Sequence, residues 1–227
     1  MKRDKSAVVL LSGGLDSAVT LYQAKKSGYK CFCLIFDYGQ RHRREIASAK
    51  KIARSACCQW RVVKIALPWG GSSLLDRKIG VPESAAAPVH KGTNKIPNTY
   101  VPARNIIFLS FALSMAEAVG AEAIFIGAHA QDYSGYPDCR PQFYRAFDKV
   151  ISTGTKAGVE RKGIKIITPL LRMKKSGIVK LGSCLGVPFA FTWSCYKGLK
   201  TPCGACDSCY YRAKGFKEAH IGDPLTK

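Results

Sequence analysis

Acidic side chains are scarce in this 227-residue chain: Asp and Glu number 15 against 36 Lys and Arg, a formal net charge of +21. A field of that sign disfavours cationic partners and attracts anions, whether nucleotides, nucleic acid or acidic membranes. The basic residues are scattered as pairs (Lys25-Lys26, Arg43-Arg44, Lys50-Lys51, Lys174-Lys175) with no basic arm or tail. A soluble basic surface accounts for that pattern, and a polyanion-binding face is the alternative. Long hydrophobic runs are also missing. The most apolar stretch, Ile106 to Val119, is too short for a membrane span and carries Glu117. The N-terminal apolar run of five residues, Ala7 to Leu11, is shorter than the core of a signal peptide. With no export signal, the expected compartment is the cytoplasm, and the ten cysteines read as metal ligands or thiols before disulfides. No internal repeat is present.

What remains is a chain with an apolar fraction of 47% and the length of one α/β domain with a small appendage. Strand-like and helix-like segments alternate. Strands are expected at Ala7–Leu11, Lys30–Phe36, Trp60–Leu67, Ala123–Gly127 and Lys165–Thr168. Helices are expected at Leu15–Ser27, from about His42 to Ala56, at Arg104–Val119 and from about Met173 to Leu185, with a short one after Pro141. Pro68 to Thr99 reads as a long loop or lid. This alternation predicts a doubly wound, mainly parallel sheet covered on both faces, with ligands at the carboxyl ends of the strands.

The first strand runs into "SGGLDS", Ser12 to Ser17, a phosphate-loop layout without the Gly-Lys-Ser/Thr that grips a transferable γ-phosphate. Gly13 and Gly14 admit close backbone approach, and the following helix points its amides outward. Ser12 and Ser17 add hydroxyls. Asp16 would repel bare phosphate, and fits if a magnesium ion lies between them. Such a nest suits a pyrophosphate that departs as a unit, so the inferred reaction is attack at the α-phosphorus of ATP to form an adenylate. The motif resembles the pyrophosphate loop of the N-type ATP pyrophosphatases.

Two more stretches carry chemistry. Cys195, Cys203, Cys206 and Cys209 are spaced C-x7-C-x2-C-x2-C, which can close a tetrahedron around one structural zinc; an iron–sulfur cluster is the alternative. Lys197, Lys200, Arg212 and Lys214 would offset the charge of a tetrathiolate centre. The loop "GAHAQDYSGYPDCRPQF", Gly127 to Phe143, follows a strand and offers Asp132 and Asp138 as acceptors, Arg140 as a carboxylate binder, and Tyr133, Tyr136 and Phe143 as stacking surfaces. By itself it is equally a polar surface loop.

Together, "SGGLDS", "YGQRH", "YVPARN", "DYSGYPDCRPQF" and "WSCY…CGACDSC" closely resemble the 7-cyano-7-deazaguanine synthase family, over about nine-tenths of the chain. The resemblance implies a Rossmann-like adenine nucleotide α-hydrolase fold. It implies an ATP pyrophosphatase domain over 1–190 and a zinc-binding segment over 191–227 packed on it. It also implies conversion of 7-carboxy-7-deazaguanine and ammonia to the nitrile with ATP and Mg2+, one zinc per chain, a homodimer, and a place in queuosine or archaeosine biosynthesis.

Carried over by motif, Leu11, Ser12, Gly13, Gly14, Leu15, Asp16, Ser17, Ala18, Val19, Thr20 and Leu21 match the ATP-binding stretch, joined by Tyr38, Gln40, Arg41 and His42. Arg104, Asn105, Asp132, Ser134, Gly135, Tyr136, Asp138 and Arg140 fall on the substrate side. Ser12, Asp16, Ser17 and Lys175 are the catalytic candidates, Lys175 supplying the charge that the loop lacks. Leu15 stands where many relatives have Gln, and Gly177 where they often show an acid. The competing readings are a tRNA-thiolating ATP pyrophosphatase, for which Cys33 and Cys139 are the thiols to watch, a relative adenylating another carboxylate, and a zinc-stabilised RNA binder. Direct nucleic-acid binding is not required by the main reading.

Overall fold

Five strands, Ser6–Leu10 (β1), Lys30–Asp37 (β2), Gln59–Lys64 (β3), Ala123–Phe125 (β4) and Lys165–Ile167 (β5), pair in parallel in the order β3-β2-β1-β4-β5. The structure is a computed structural model and describes residues 5–83, 96–129 and 135–226. The helices are α1 (Leu15–Lys26), α2 (Arg44–Ser55), α3 (Arg104–Val119), α4 (Pro141–Gly154), α5 (Lys156–Val159), α6 (Lys175–Cys184) and α7 (Asp207–Ala219).

The continuous apolar runs of β1 and β2 reflect burial on both faces. Along β1, Ala7 and Val9 point into a core shared with α1, α2, α6 and α7, while Val8 and Leu10 point into a second core closed by α3 and α4. Each helix presents its apolar stripe accordingly: Ala49, Ile52 and Ala53 from α2 on one face, Leu109, Ala112, Leu113 and Ala116 from α3 on the other.

The strand order places a topological switch point between β1 and β4. From β1 the chain moves outward through β2 to β3, then returns across to β4 and β5 on the other side. The crevice beyond the carboxyl ends of β1 and β4 is where such a sheet takes its ligand. The loops that leave these two strands are Leu11–Gly14 and the segment from Ile126, which are the stretches singled out by motif.

Three sequence expectations change. The third strand stops at Lys64 rather than Leu67. The helix after Pro141 is not short: its stripe of Tyr144, Phe147 and Ile151 runs through 14 residues, with Pro141 at the first position. The cysteine tail contains a 13-residue helix, α7, whose Phe216 enters the first core and meets Phe189 edge to face at 5.1 Å.

Candidate active site

The Ser12–Ser17 loop is held in shape by its own hydroxyls. The Gly14 amide donates to Ser12 Oγ (3.2 Å), Ser12 Oγ donates to Ser17 Oγ (3.0 Å), and Ser17 Oγ donates to the Gly14 carbonyl (3.0 Å). Gly13 sits at φ +91°, and a Cβ there would lie 2.2 Å from the Glu45 carbonyl oxygen. The loop therefore packs directly on the start of α2, and only glycine fits. Gly127 has a matching role at the end of β4, where a Cβ would come within 3.0 Å of the Asp16 backbone and Thr20 Oγ1.

Asp16, in the first turn of α1, receives both Oδ atoms' contacts from Lys175 Nζ at 2.8 Å. Lys175 opens α6, 159 residues away in sequence, and α7 leaves room for its stem because Gly215 has no side chain: a Cβ there would meet Lys175 Cγ at 2.4 Å. His129, in the segment leaving β4, completes the group: its Nε2 lies 2.8 Å from Lys175 Nζ and 3.6 Å from Asp16 Oδ2. Burial alone would raise the Asp16 pKa, but the neighbouring Lys175 ammonium outweighs it and holds the carboxyl below its usual range.

From this corner a cleft of about 240 Å3 runs along the strand ends. Ser12, Gly14, Leu15, Asp16 and Ser17 line one end, with Leu11, while Tyr38, Arg104, Asn105, Phe108 and Tyr136 line the other. Arg104 lies over the Phe108 ring (5.9 Å) and donates to the Tyr38 hydroxyl across 3.5 Å, its hydrogen-bond acceptor among the described residues. Burial pushes the Tyr38 phenol up, partly offset by Arg104, so it stays a neutral hydroxyl. The Tyr136 hydroxyl meets Thr99 Oγ1 at 2.6 Å, which brings the described end of the 68–99 loop into the wall.

Other motif residues shape the cleft, and Gln40, His42 and Asn105 both shape and line it. Ala18, Val19, Thr20 and Leu21 are wholly buried in α1. Gln40 lines the cleft with one edge, yet its amide bridges the Tyr38 amide (2.8 Å) and the Phe36 carbonyl (3.1 Å), shaping the end of β2. Arg41 donates to the Asp76 and Ile79 carbonyls and ties down the 68–83 segment. His42 is buried in the cleft wall with Nε2 3.2 Å from Glu45 Oε2. Asp138 accepts from the Asn105 amide (3.2 Å), and Asn105 Nδ2 returns a bond to the Asp138 carbonyl (3.2 Å), so this pair locks α3 to the Pro137–Cys139 turn. Gly135 is buried against Pro97, and Arg140 is exposed, away from the cleft lining. Asp132, Tyr133 and Ser134 lie outside the described residues.

The Sγ atoms of Cys195, Cys203, Cys206 and Cys209 all lie within 4.8 Å of one another, with Cys203 and Cys209 at 3.9 Å. A tetrahedral zinc with bonds of about 2.3 Å needs edges of roughly 3.8 Å, so this all-sulfur set fits such an ion. Amides of Cys203 and Cys206 point at Cys195 Sγ (3.4 Å) and Cys203 Sγ (3.3 Å), as around thiolate ligands. The expected cationic ring is only partly there, because Arg212 is buried in a fork onto Asp223 (2.7 and 2.8 Å) and Lys197 pairs with Glu83.

The cysteine segment also walls the cleft. Trp193, Ser194, Tyr196 and Ser208 line it, the Trp193 amide donates to the Gly13 carbonyl (2.9 Å), and Arg44 stacks over the Trp193 indole (4.2 Å). Trp193, Ser194, Tyr196 and Ser208 fall in the quoted cysteine stretch, and His129 in the Gly127–Phe143 loop, but none was singled out as a site residue, nor were Glu45 and Phe108. For His129 a signal existed: a histidine two residues past the expected end of the fourth strand, at the ligand edge, and four past its observed end. Cys33 and Cys139 occupy the two different cores on opposite faces of the sheet, so they form no reactive pair.

The family described as queuosine biosynthesis protein QueC matches residues 6–220. A "7-cyano-7-deazaguanine synthase" from Trichormus variabilis is 52% identical over 221 residues, 96% of each chain. Another, from Acetivibrio thermocellus, is 53% identical across 97% of both. Among solved structures, an NMN synthetase from Francisella tularensis superposes with a TM-score of 0.53 at 14% identity, over 96% of this chain and 78% of its own. A "predicted subunit of tRNA methyltransferase" from Methanocaldococcus jannaschii gives 0.51 at 16% identity, over 98% and 94%. At those identities the structures speak for the fold alone.

Proposed function

This chain belongs to the queuosine biosynthesis protein QueC family, and on that premise we propose that it is a C–N bond-forming ligase that makes 7-cyano-7-deazaguanine. The substrates are 7-carboxy-7-deazaguanine, ammonia and ATP. The observation that carries the mechanism is the junction of the Ser12–Ser17 loop with Asp16 and Lys175 at the switch point of the sheet.

In this reading the substrate carboxylate attacks the α-phosphorus of ATP while the loop amides and the Ser12 and Ser17 hydroxyls hold the departing pyrophosphate. Lys175 supplies the positive charge. Ammonia displaces AMP to give the amide; a second adenylation, on the amide oxygen, then turns that oxygen into a leaving group, and loss of the N–H protons yields the nitrile. Both adenylations attack the same atom of ATP, so one loop serves both. Phe108 and Tyr136 offer faces for the flat base, and Arg104, with Tyr38, is placed to hold its carboxylate.

Asp16 is the carboxylate that would hold Mg2+, which when bound screens the charge of the triphosphate. The four thiols would hold a zinc with no open position, so its part is structural: it fixes the segment whose Trp193 supports Gly13. A homodimer and a cytoplasmic location belong to the same reading. Exposed Ile106, Phe111 and Val119 on α3 provide apolar surface for a second copy, and no described helix is long and apolar enough to cross a membrane. The test is direct: the protein with MgATP, ammonium and 7-carboxy-7-deazaguanine should yield nitrile, AMP and pyrophosphate, detected by mass spectrometry. Absence of both amide and nitrile from metal-replete protein refutes the proposal.

A further inference from the structure

The Lys175 ammonium has three N–H donors, and all have acceptors at 2.8 Å: Asp16 Oδ1, Asp16 Oδ2 and His129 Nε2. An ammonium can only donate, so Nε2 accepts, and the neutral imidazole carries its proton on Nδ1. Lys175 and His129 are also the more enclosed members, with side chains 12% and 5% exposed against 25% for Asp16. The carboxylate is thus the side of the group open toward the cleft, and the imidazole lies behind.

This arrangement has a consequence when nucleotide arrives. On the reading above, Asp16 turns to the metal that accompanies ATP, and its two bonds to Lys175 must weaken. A lysine held only by Asp16 would then be a long, flexible side chain free to leave the loop. We propose that His129 is a positioning residue that tethers Lys175 by one donor, so that the other two pass from Asp16 to the phosphate oxygens without the ammonium leaving its place. The proposal rests on the assignment of the loop to ATP, and it gives a role to a residue of the Gly127–Phe143 stretch that the sequence analysis left without one. His129 comes from the segment that follows β4 and Lys175 from the start of α6, so the tether also joins these two elements at the switch-point crevice.

The prediction is one of coupling. Binding of the Mg2+ complex of α,β-methylene-ATP is measured by calorimetry for wild type, His129→Leu, Lys175→Met and the double variant, and needs no turnover. His129→Leu should weaken binding about ten- to a hundredfold, the range of one hydrogen bond to a charged group, and the same change in the Lys175→Met background should have almost no effect. His129→Gln, whose amide oxygen reaches the Nε2 position, should restore most of the affinity. His129→Asn, which is polar but too short, should not. In turnover assays His129→Leu should lower kcat and raise the KM for ATP relative to wild type, leaving the KM for the base unchanged.

Equal losses from His129→Leu in both backgrounds, or Gln and Asn variants that bind alike, would assign His129 to packing and overturn the tether. Should His129→Leu not fold, the Asn variant takes its place in the cycle. If wild type binds the nucleotide but makes no nitrile, the proposed reaction fails while the tether is still judged by the cycle. If wild type does not bind it at all, both fall.

Discussion

Asp16 and Lys175 form an ion pair at the centre of the proposed chemistry, and the pair was only half legible in the sequence. The "SGGLDS" spacing placed Asp16 in the first turn of a helix after a strand. Nothing in the spacing said that a lysine 159 residues later would meet it; that required the resemblance, and then the geometry. Replacing Asp16 by Asn should reduce turnover below about 1% of wild type, since the charge proposed to hold Mg2+ is gone. Circular dichroism should still show a cooperative melt, because Lys175 retains His129. Near-normal turnover would contradict the assignment. His42 shows the limit of motif transfer, since its Nε2 is taken up by Glu45. Burial would lower its pKa, but Glu45 outweighs burial and raises it. A raised folded pKa means that the pair's contribution is full below the unfolded value of about 6.5 and fades as pH rises through the folded one. The stability gap between wild type and His42→Gln, from urea melts, should therefore be wider at pH 6 than at pH 9. A gap that widens with pH would show that the sign is wrong.

At the scale of elements, the parallel βα alternation was readable because buried strands and amphipathic helices differ in period. What escaped was α7. Its Cys209 belongs to the metal-ligand spacing, and its Gly215 weakens a helical reading, although that glycine is what admits the Lys175 stem. The cysteine segment and the phosphate loop are one mechanical unit through Trp193 and Gly13. Cys209→Ser should therefore lose the metal, measured as about one zinc per wild-type chain, and lower the Tm by about 5 °C or more. Its remaining activity should fall further than its folded fraction does. Loss of metal with no change in Tm or activity would separate the two sites.

On the scale of the whole molecule, the charge of +21 left nucleic acid, nucleotide and membrane open as partners. Topology narrows the choice, because the order β3-β2-β1-β4-β5 brings the loops after β1 and β4 to one crevice, and the cysteine segment closes its side. A cleft lined both by the Ser12–Ser17 loop and by an arginine among aromatic rings suits a nucleotide and a small flat acid. The central claim is that the carboxylate of that acid attacks the α-phosphorus of ATP. It is tested most directly with 7-carboxy-7-deazaguanine carrying 18O in both carboxylate oxygens. The account predicts that the label leaves in AMP, one oxygen for each adenylation, with unlabelled pyrophosphate. Label in inorganic phosphate, with ADP as the nucleotide product, would contradict it.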